Sequence, residues 1–130
     1  MEAIYNLIYA RSFHSVLLVN ADTYLLINGA AIIRRQFIDW GVFHVEHQFY
    51  STWKNYYRIL KQRNAALKTL NKDEQIQLWT ESLIPVAHEI DTMRRHYLDK
   101  LIPIFNTLTQ TLIHQEIEIE YHAGWQDDLL

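Results

Sequence analysis

Apolar side chains recur every three or four positions through the middle of the chain, as on one face of an α-helix. A first helical run starts near Ala30, and Gly41 is expected to break or kink it. Two longer runs follow, over residues 48–70 and 71–115. The apolar stripe of the first long run is Phe49, Trp53, Tyr56, Leu60, Ala66 or Leu67, and Leu70. That of the second is Ile76, Trp79, Leu83, Val86, Ile90, Met93 and Tyr97, then Leu101, Phe105, Leu108 and Leu112.

The two long helices are predicted to fold back on each other as an antiparallel hairpin. Only a short polar link separates them, and Asn71 followed by Glu74 is a good start signal for the second helix. At 1.5 Å per residue the hairpin would be roughly 30 Å long. Pro85 and Pro103 each remove a backbone donor, so kinks or breaks are expected there.

Both ends of the chain have other patterns. Residues 1–13 place apolar side chains on one helical face, and residues 16–28 contain two short β-type runs. Residues 116–122, EIEIEYH, alternate strictly between isoleucine or tyrosine and glutamate, which is typical of a half-buried strand. The predicted fold class is therefore mainly α: a long antiparallel helical hairpin with short β-strand remnants at both ends.

Composition narrows the class of protein. The chain has 130 residues, enough for one domain, and 49% of them are hydrophobic, which excludes general disorder. It has no cysteine, hence no disulfide, thiolate metal site or cysteine nucleophile. We find no export signal and no apolar run of the roughly 20 residues that a membrane span needs. A cytoplasmic location is expected.

Charge is distributed unevenly along the chain. Residues 1–72 hold nine Lys and Arg against four Asp and Glu, while residues 73–130 hold three against eleven. This is either an ordinary dipolar surface or a basic half that meets phosphate. No acid interrupts residues 47–72, where the basic side chains share one helical face, which indicates either DNA-phosphate contacts or simply a solvated face. These side chains are Lys54, Arg58, Lys61 and Lys68.

Catalytic and metal-binding patterns are weak. His44 and His47 stand three apart in HVEH, but zinc needs three or four ligands, so two histidines at a helix junction are the more ordinary interpretation. Asp39 and Glu46 are either paired carboxylates or, more ordinarily, partners of Arg34 or Arg35. The phosphate-loop pattern G-x-x-x-x-G-K-[ST] does not occur. No catalytic, cofactor-binding or metal-binding residue is predicted.

Three blocks resemble the RecF family of ABC/SMC-like ATPases, which mediate bacterial recombination. They are RRQFIDWGVFHVEHQF (34–49), YYRILKQRNAALK (56–68) and MEAIYNLIYARSFHS (1–15). The shorter segments TYLLINGAAIIRR (23–35), LIPVAHEI (83–90) and EIEIEYHAGW (116–125) fit in the same order.

The resemblance implies a helical arm inserted into an ATPase head. Residues 1–29 would be head remnant, residues 30–115 the arm, and residues 116–130 the strand that returns to the head. It also implies ATP- and magnesium-dependent binding to single-stranded and gapped DNA, recombinase loading with RecO and RecR partners, and roles in replication, the SOS response and replication restart. The candidate DNA-phosphate contacts are Arg34, Arg35, Lys54, Arg58, Lys61 and Lys68.

Departures from the family pattern lead to a further expectation. The family's phosphate loop would precede residues 1–13, further head strands would fall between Ser15 and Val16, and the signature and Walker B motifs would follow Trp125. We therefore expect a truncated, internally deleted member that alone neither binds nor hydrolyses ATP. Its ends should dimerise, aggregate or fray. The alternatives are a free-standing helical module that binds DNA or protein and, remotely, a metal-dependent hydrolase at His44 and His47.

Overall fold

The computed structural model describes residues 24–68, 73–115 and 117–124, which are mainly helical, as predicted. The helices are α1 (Leu25–Asn28), α2 (Ala31–Val45), α3 (Phe49–Lys68) and α4 (Asp73–Ile113). The predicted helix of residues 1–13, the β-type run of residues 16–20 and the predicted cap at Asn71 lie outside the described residues.

Helices α3 and α4 lie side by side and run in opposite directions. Near one end the Thr52 hydroxyl donates to Glu89 Oε1 at 3.2 Å. Towards the other end Arg63 Nε donates to the Thr80 hydroxyl at 2.9 Å. Because residue numbers rise along α3 as those of their partners fall along α4, the two helices are antiparallel. The buried residues of α3 recur at helical spacing: Phe49, Thr52, Ile59 and Ala66.

The core lies where α2 packs against this pair. Val42, Phe49 and Ile90 are fully or almost fully buried and come from α2, α3 and α4 respectively. Around them pack half-buried hydrophobic side chains: Ile38, Phe43, Trp53, Tyr56, Met93 and Tyr97. At 25 cal/mol per Å² of apolar surface removed from water, each fully buried aliphatic side chain contributes about 1.5–3 kcal/mol. This junction therefore holds the three helices together.

Of the breaks or kinks predicted at Gly41, Pro85 and Pro103, the breaks are wrong, because the helices continue through all three residues. α2 continues through Gly41 to Val45, where the Glu46 N–H bonds to the Val42 carbonyl at 2.8 Å. α4 continues through Pro85 and Pro103. Both prolines are exposed, so water can reach the backbone groups they leave unpaired.

The predicted stripe on α3 is confirmed at Phe49 and at Ala66, which are buried, whereas Leu67, the alternative to Ala66, is 48% exposed. At Leu60 the prediction is off by one position, because Ile59 is buried and Leu60 is only half-buried. Thr52 is buried in place of its half-buried aromatic neighbour, because its hydroxyl has a partner on α4. Apolar character alone was thus a poor guide to the exact phase of the helix.

The predicted β-type segments are not strands where the structure describes them. Leu25–Asn28 form a helical turn, and residues 117–123 have irregular backbone. A strand pairs its backbone groups with a neighbouring strand, and no other strand is present among the described residues. None of the described helices is both long and apolar enough to cross a membrane.

Candidate nucleic-acid interface

The basic side chains of α3 project from the side of the helix opposite the core. We call Lys54, Arg58, Lys61 and Lys68 the basic face. At 100° per residue they fall within one quarter of the helix circumference, turned away from Ile59 and Ala66. All four are exposed, and among the described residues Arg58 is the only one of them that forms a side-chain hydrogen bond, donating to Asn55 Oδ1 at 2.9 Å. The basic face spans roughly 21 Å at the helical rise of 1.5 Å per residue.

The two arginines of α2 have different roles. Arg34 donates to the carbonyls of Gly29 at 2.9 Å, Leu26 at 3.3 Å and Ile27 at 3.4 Å. It therefore satisfies the carbonyl end of α1, an ordinary structural task for a cation at a helix C-terminus. Among the described residues Arg35 has no hydrogen-bond or ion-pair partner. Of this pair, only Arg35 has a free guanidinium in the described part of the chain.

Arg35 lines an open cleft of about 160 Å³ whose lining residues come from α2, α3, α4 and residues 117–124. On the α3 side the cleft is lined by two tyrosines, one of which, Tyr57, is 38% exposed. We call this the arginine–tyrosine cleft. Its lining residues are Arg35, Tyr56, Tyr57, Ala87, Ile90, Arg94, Ala123 and Gly124.

A buried ion pair supports one wall of this cleft. Arg94 Nε and NH2 bind Asp39 Oδ1 and Oδ2 at 2.7 and 2.9 Å, with only 9% and 15% of the two side chains exposed. Burial lowers the pKa of Arg94. The hydrogen bonds to Asp39 and the charge of Asp39 raise it by more than burial lowers it, so the pKa lies above its ordinary value. Arg94 therefore stays charged, and its bonds to Asp39 join α2 to α4.

This pairing corrects the prediction that Asp39 binds Arg34 or Arg35. Arg34 is directed at the end of α1, and Arg94 approaches from the facing helix with the two-pronged geometry that matches a carboxylate. Glu46 is likewise not paired with either arginine; its Oε1 lies 4.0 Å from His96 Nε2.

A second polar cluster fastens residues 117–124 to α4. The Tyr121 hydroxyl donates to Asp91 Oδ1 at 2.8 Å, and Arg95 Nε donates to Asp91 Oδ2 at 2.7 Å. The Arg95 guanidinium also lies 5.3 Å from the centre of the Tyr121 ring. Burial, and then the bond to Asp91, raise the pKa of Tyr121. Sequence reasoning placed Tyr121 on a strand and did not identify this contact.

Tyr57 is a neutral hydroxyl at physiological pH. Burial raises its pKa first, the charge of Asp39 adds to the rise, and Arg94 and Arg35 oppose it. Its ring lies 4.3 Å from that of Trp53, centre to centre. A protonated hydroxyl on a packed ring can both donate a hydrogen bond and present an aromatic surface.

The two histidines of HVEH, His44 and His47, lie in different surroundings. His44 contacts Trp40 and Phe43 edge-on, with ring centres 4.5 and 5.5 Å apart. His47 follows the end of α2 and is exposed. Within the described residues no group of three His, Cys, Asp or Glu side chains could hold a metal ion.

Comparison with known proteins finds relatives that share one name. The DNA replication and repair protein RecF of Cellvibrio japonicus is 39% identical over 115 residues, which is 87% of this chain and 32% of that protein. The proteins of the same name from Pseudomonas fluorescens Pf-5 and Pasteurella multocida are 42% and 37% identical, each over 85% of this chain and 31% of their own length. The chain is related to the RecF proteins.

The RecF resemblance predicted from three sequence blocks is thus confirmed. The chain spans about a third of the length of the curated RecF proteins it matches, 31% or 32% in these three cases. No protein-family model and no solved structure matches the chain.

Proposed function

We propose that this RecF-like chain acts in DNA replication and repair, and that it contacts the DNA backbone through the basic face of α3. The observation that supports this most is the similarity to RecF over 85–87% of the chain. The relatives are DNA replication and repair proteins, which suggests the process, and the exposed cations of α3 offer a surface suited to DNA.

The charge of α3 suits contact with phosphate. The helix contains five Lys and Arg and no Asp or Glu. Arg63 is turned to Thr80, which leaves the basic face directed at solvent. Cations along a rigid helix neutralise phosphates and release counterions without reading sequence. Arg35 could add one further cation beside α3. Arg34 is a weaker candidate, because the carbonyls at the end of α1 occupy its NH1 nitrogen.

The antiparallel α3–α4 pair is, in this proposal, the helical arm of an ABC/SMC-like head. For the activity of a whole RecF-like protein we propose the family's ATP- and magnesium-dependent binding at DNA gaps, with RecO- and RecR-type partners, in recombinase loading, replication restart and the SOS response in the cytoplasm. All of these proposed activities and partners rest on the similarity to RecF.

Charge reversal tests the contact surface. The triple variant Lys54→Glu, Arg58→Glu and Lys61→Glu should weaken binding to labelled DNA at least tenfold at low salt. The slope of log affinity against log salt concentration should become less steep by about 2–3, since each lost phosphate contact removes about 0.9 from the slope. Fluorescence anisotropy across a salt series measures both quantities.

A matched comparison separates surface from net charge. Lys61→Glu and Lys100→Glu make the same charge change on two exposed positions, one on the basic face and one on α4. Only Lys61→Glu should weaken DNA binding appreciably. If the triple variant binds as the unchanged protein does, then the basic face is only solvated and the proposed contact is wrong.

A second candidate function is a free-standing interaction module for protein. Ile104, Leu108 and Leu112 lie at helical spacing along the last turns of α4 and are 60%, 53% and 76% exposed. An apolar stripe of this kind suits a helical partner or a second copy of the chain. Light scattering with and without Leu108→Glu tests this. A dimer that the substitution dissociates would support an interaction role, whereas a monomer in both cases would argue against self-association.

A further inference from the structure

The arginine–tyrosine cleft lies beside the basic face rather than apart from it. Tyr57 lines the cleft and is the immediate neighbour of Arg58; it also lies close to one turn from Lys54 on the exposed side of α3. A polyanion that follows the basic face would therefore pass the mouth of the cleft.

The charges of the cleft leave one cation available. Arg94 is neutralised by Asp39, and the Nε and NH2 donors of its guanidinium are occupied. Asp91, the other nearby acid, is bound to Arg95 and Tyr121. Arg35 has no partner among the described residues, so the cleft carries an uncompensated positive charge. Such a site attracts an anion.

The aromatic wall adds a second type of contact. Tyr57 is 38% exposed, and its ring is supported by Trp53 at 4.3 Å and by Tyr56 at 5.4 Å between ring centres. A supported ring with a free edge or face is a platform on which a planar base can stack. Ala123 and Gly124 also line the cleft and bring at most a methyl group into it, which leaves room for a base.

The size of the cleft limits what can enter. Its volume of about 160 Å³ is below the roughly 300–1,000 Å³ of ordinary ligand pockets. It has room for a single base but not for a base pair. A paired base must leave its stack and its partner before it can enter such a cleft, whereas an unpaired base avoids that energetic cost.

We propose that the arginine–tyrosine cleft binds one unpaired nucleotide, with Arg35 on its phosphate and Tyr57 against its base. A DNA single strand and a free nucleotide share this chemistry. The single-strand source rests on the proposed function, because the basic face would deliver the strand to the cleft. The cleft would then distinguish single-stranded from duplex DNA, which the basic face alone does not.

Two cleft variants test the site. Tyr57→Ala should weaken binding to a single-stranded oligonucleotide about tenfold and leave binding to the matching duplex within twofold. Arg35→Ala also removes a cation that can meet a duplex, so it should weaken both, and the single strand more than the duplex. Tyr57→Phe, which keeps the ring, should retain most of the affinity for the single strand. Tyr24→Ala and Lys100→Ala are the matched controls, since they remove an exposed tyrosine and an exposed cation elsewhere. Circular dichroism verifies that each variant is folded.

A parallel titration with deoxyadenosine monophosphate separates the two sources. If Tyr57→Ala abolishes mononucleotide binding as well as single-strand preference, the site recognises the nucleotide itself. If the mononucleotide does not bind but the oligonucleotide preference depends on Tyr57, the site works only on a strand held by the basic face. Either result supports the cleft.

The outcomes also distinguish this inference from the proposed function. Reversal of Lys54, Arg58 and Lys61 should weaken single-stranded and duplex binding alike, whereas the cleft variants should lower the ratio of single-stranded to duplex affinity. An unchanged ratio in folded Tyr57→Ala and Arg35→Ala overturns the cleft while the basic face stands. Conversely, mononucleotide binding could depend on Tyr57 while the charge reversal leaves DNA binding unchanged. That combination supports the cleft and overturns the basic face.

Discussion

At residue 41 the absence of a side chain lets two helices approach each other. A Cβ built on Gly41 would overlap the hydroxyl and ring of Tyr97 on α4. Helix propensity alone favours alanine over glycine by about 1 kcal/mol, whereas overpacking a close contact costs about 1–3 kcal/mol. We expect the contact to outweigh the propensity, so that Gly41→Ala lowers the free energy of unfolding by up to about 2 kcal/mol in urea denaturation.

The same substitution in a Tyr97→Ala background provides the control. With the ring removed the added methyl group meets no obstacle, and propensity should make Gly41→Ala neutral or stabilising. A stabilising effect in the presence of Tyr97 would show that the helices separate easily at this point.

The ion pair of Asp39 and Arg94 is the other contact that a single residue can break. Both side chains are at least 85% buried, so Asp39→Ala leaves an unpaired guanidinium in the interior. Loss of one partner of a buried pair typically costs about 3–5 kcal/mol. Asp99→Ala removes an exposed acid from α4 and should change the free energy of unfolding by less than about 0.5 kcal/mol.

Replacing both partners tests the cause of that loss. Asp39→Leu combined with Arg94→Met removes both charges and should be markedly more stable than Asp39→Ala, because no buried charge is left without a partner. If the double variant is as unstable as the single one, packing rather than the unpaired charge accounts for the effect.

At the scale of elements, the segment 117–124 is held to α4 by the hydroxyl of Tyr121. The pKa of Tyr121 is raised in the folded protein, so its contribution to stability is fully present below the usual tyrosine value of about 10. That contribution is lost as pH rises through the folded pKa. We expect the segment to detach under alkaline conditions. Tyrosinate absorbance at 295 nm should appear at higher pH in the folded protein than in the unfolded chain.

Tyr121→Phe isolates this hydroxyl from the two other tyrosines whose pKa burial raises, Tyr57 and Tyr97. The variant should lose part of the late titration and become more sensitive to protease near residues 117–124 already at neutral pH. Tyr24→Phe, at an exposed position, is the control. An alkaline titration curve that Tyr121→Phe does not alter would contradict the tether.

The long helix α4 contains two prolines that oppose its continuity. A proline inside a helix removes one backbone hydrogen bond and costs about 3 kcal/mol or more. Pro103 is exposed, so alanine there should lose little packing and restore the N–H that can bond to the carbonyl of residue 99. We expect Pro103→Ala to raise the melting temperature and the circular dichroism signal at 222 nm.

Thr107→Ala separates local bonding from the proline effect, since its hydroxyl donates to the Pro103 carbonyl at 2.9 Å. It should change stability far less than Pro103→Ala does. A fall in stability on replacing Pro103 would mean that α4 needs the proline geometry for its packing.

At the scale of the whole molecule, the chain should not recognise a triphosphate. The 130 residues contain no G-x-x-x-x-G-K-[ST] pattern, the usual means of cradling one in this class of ATPase. In a titration with fluorescent mant nucleotides we expect ATP to bind no more tightly than the monophosphate, with or without magnesium. Micromolar, magnesium-dependent affinity for ATP would contradict this.

Positive and negative side chains are concentrated on different helices of the molecule. Basic side chains dominate α3, whereas α4 contains six Asp and Glu against three Lys and Arg. DNA should therefore approach from the α3 side, with α4 repelled by the phosphates. This polarity was visible in the sequence, because charge along a chain needs no fold to be counted.

Local spacing determined the helical class of this protein, the position of the basic face opposite the core, and the resemblance to RecF. Helix periodicity and family blocks depend on residues a few positions apart, so they are present in the sequence itself. Tyr24–Asn28 show the limit of such reasoning: β-type composition there gave way to a helical turn that Arg34 completes.

Only the tertiary structure decided which distant residues meet. Asp39 and Arg94 are 55 positions apart, and Tyr121 reaches Asp91 across 30. Their pairing depends on how α2, α3 and α4 pack, and that packing depends in turn on the missing side chain at Gly41. The arginine–tyrosine cleft has the same origin, because its walls come from four segments whose proximity no local pattern encodes.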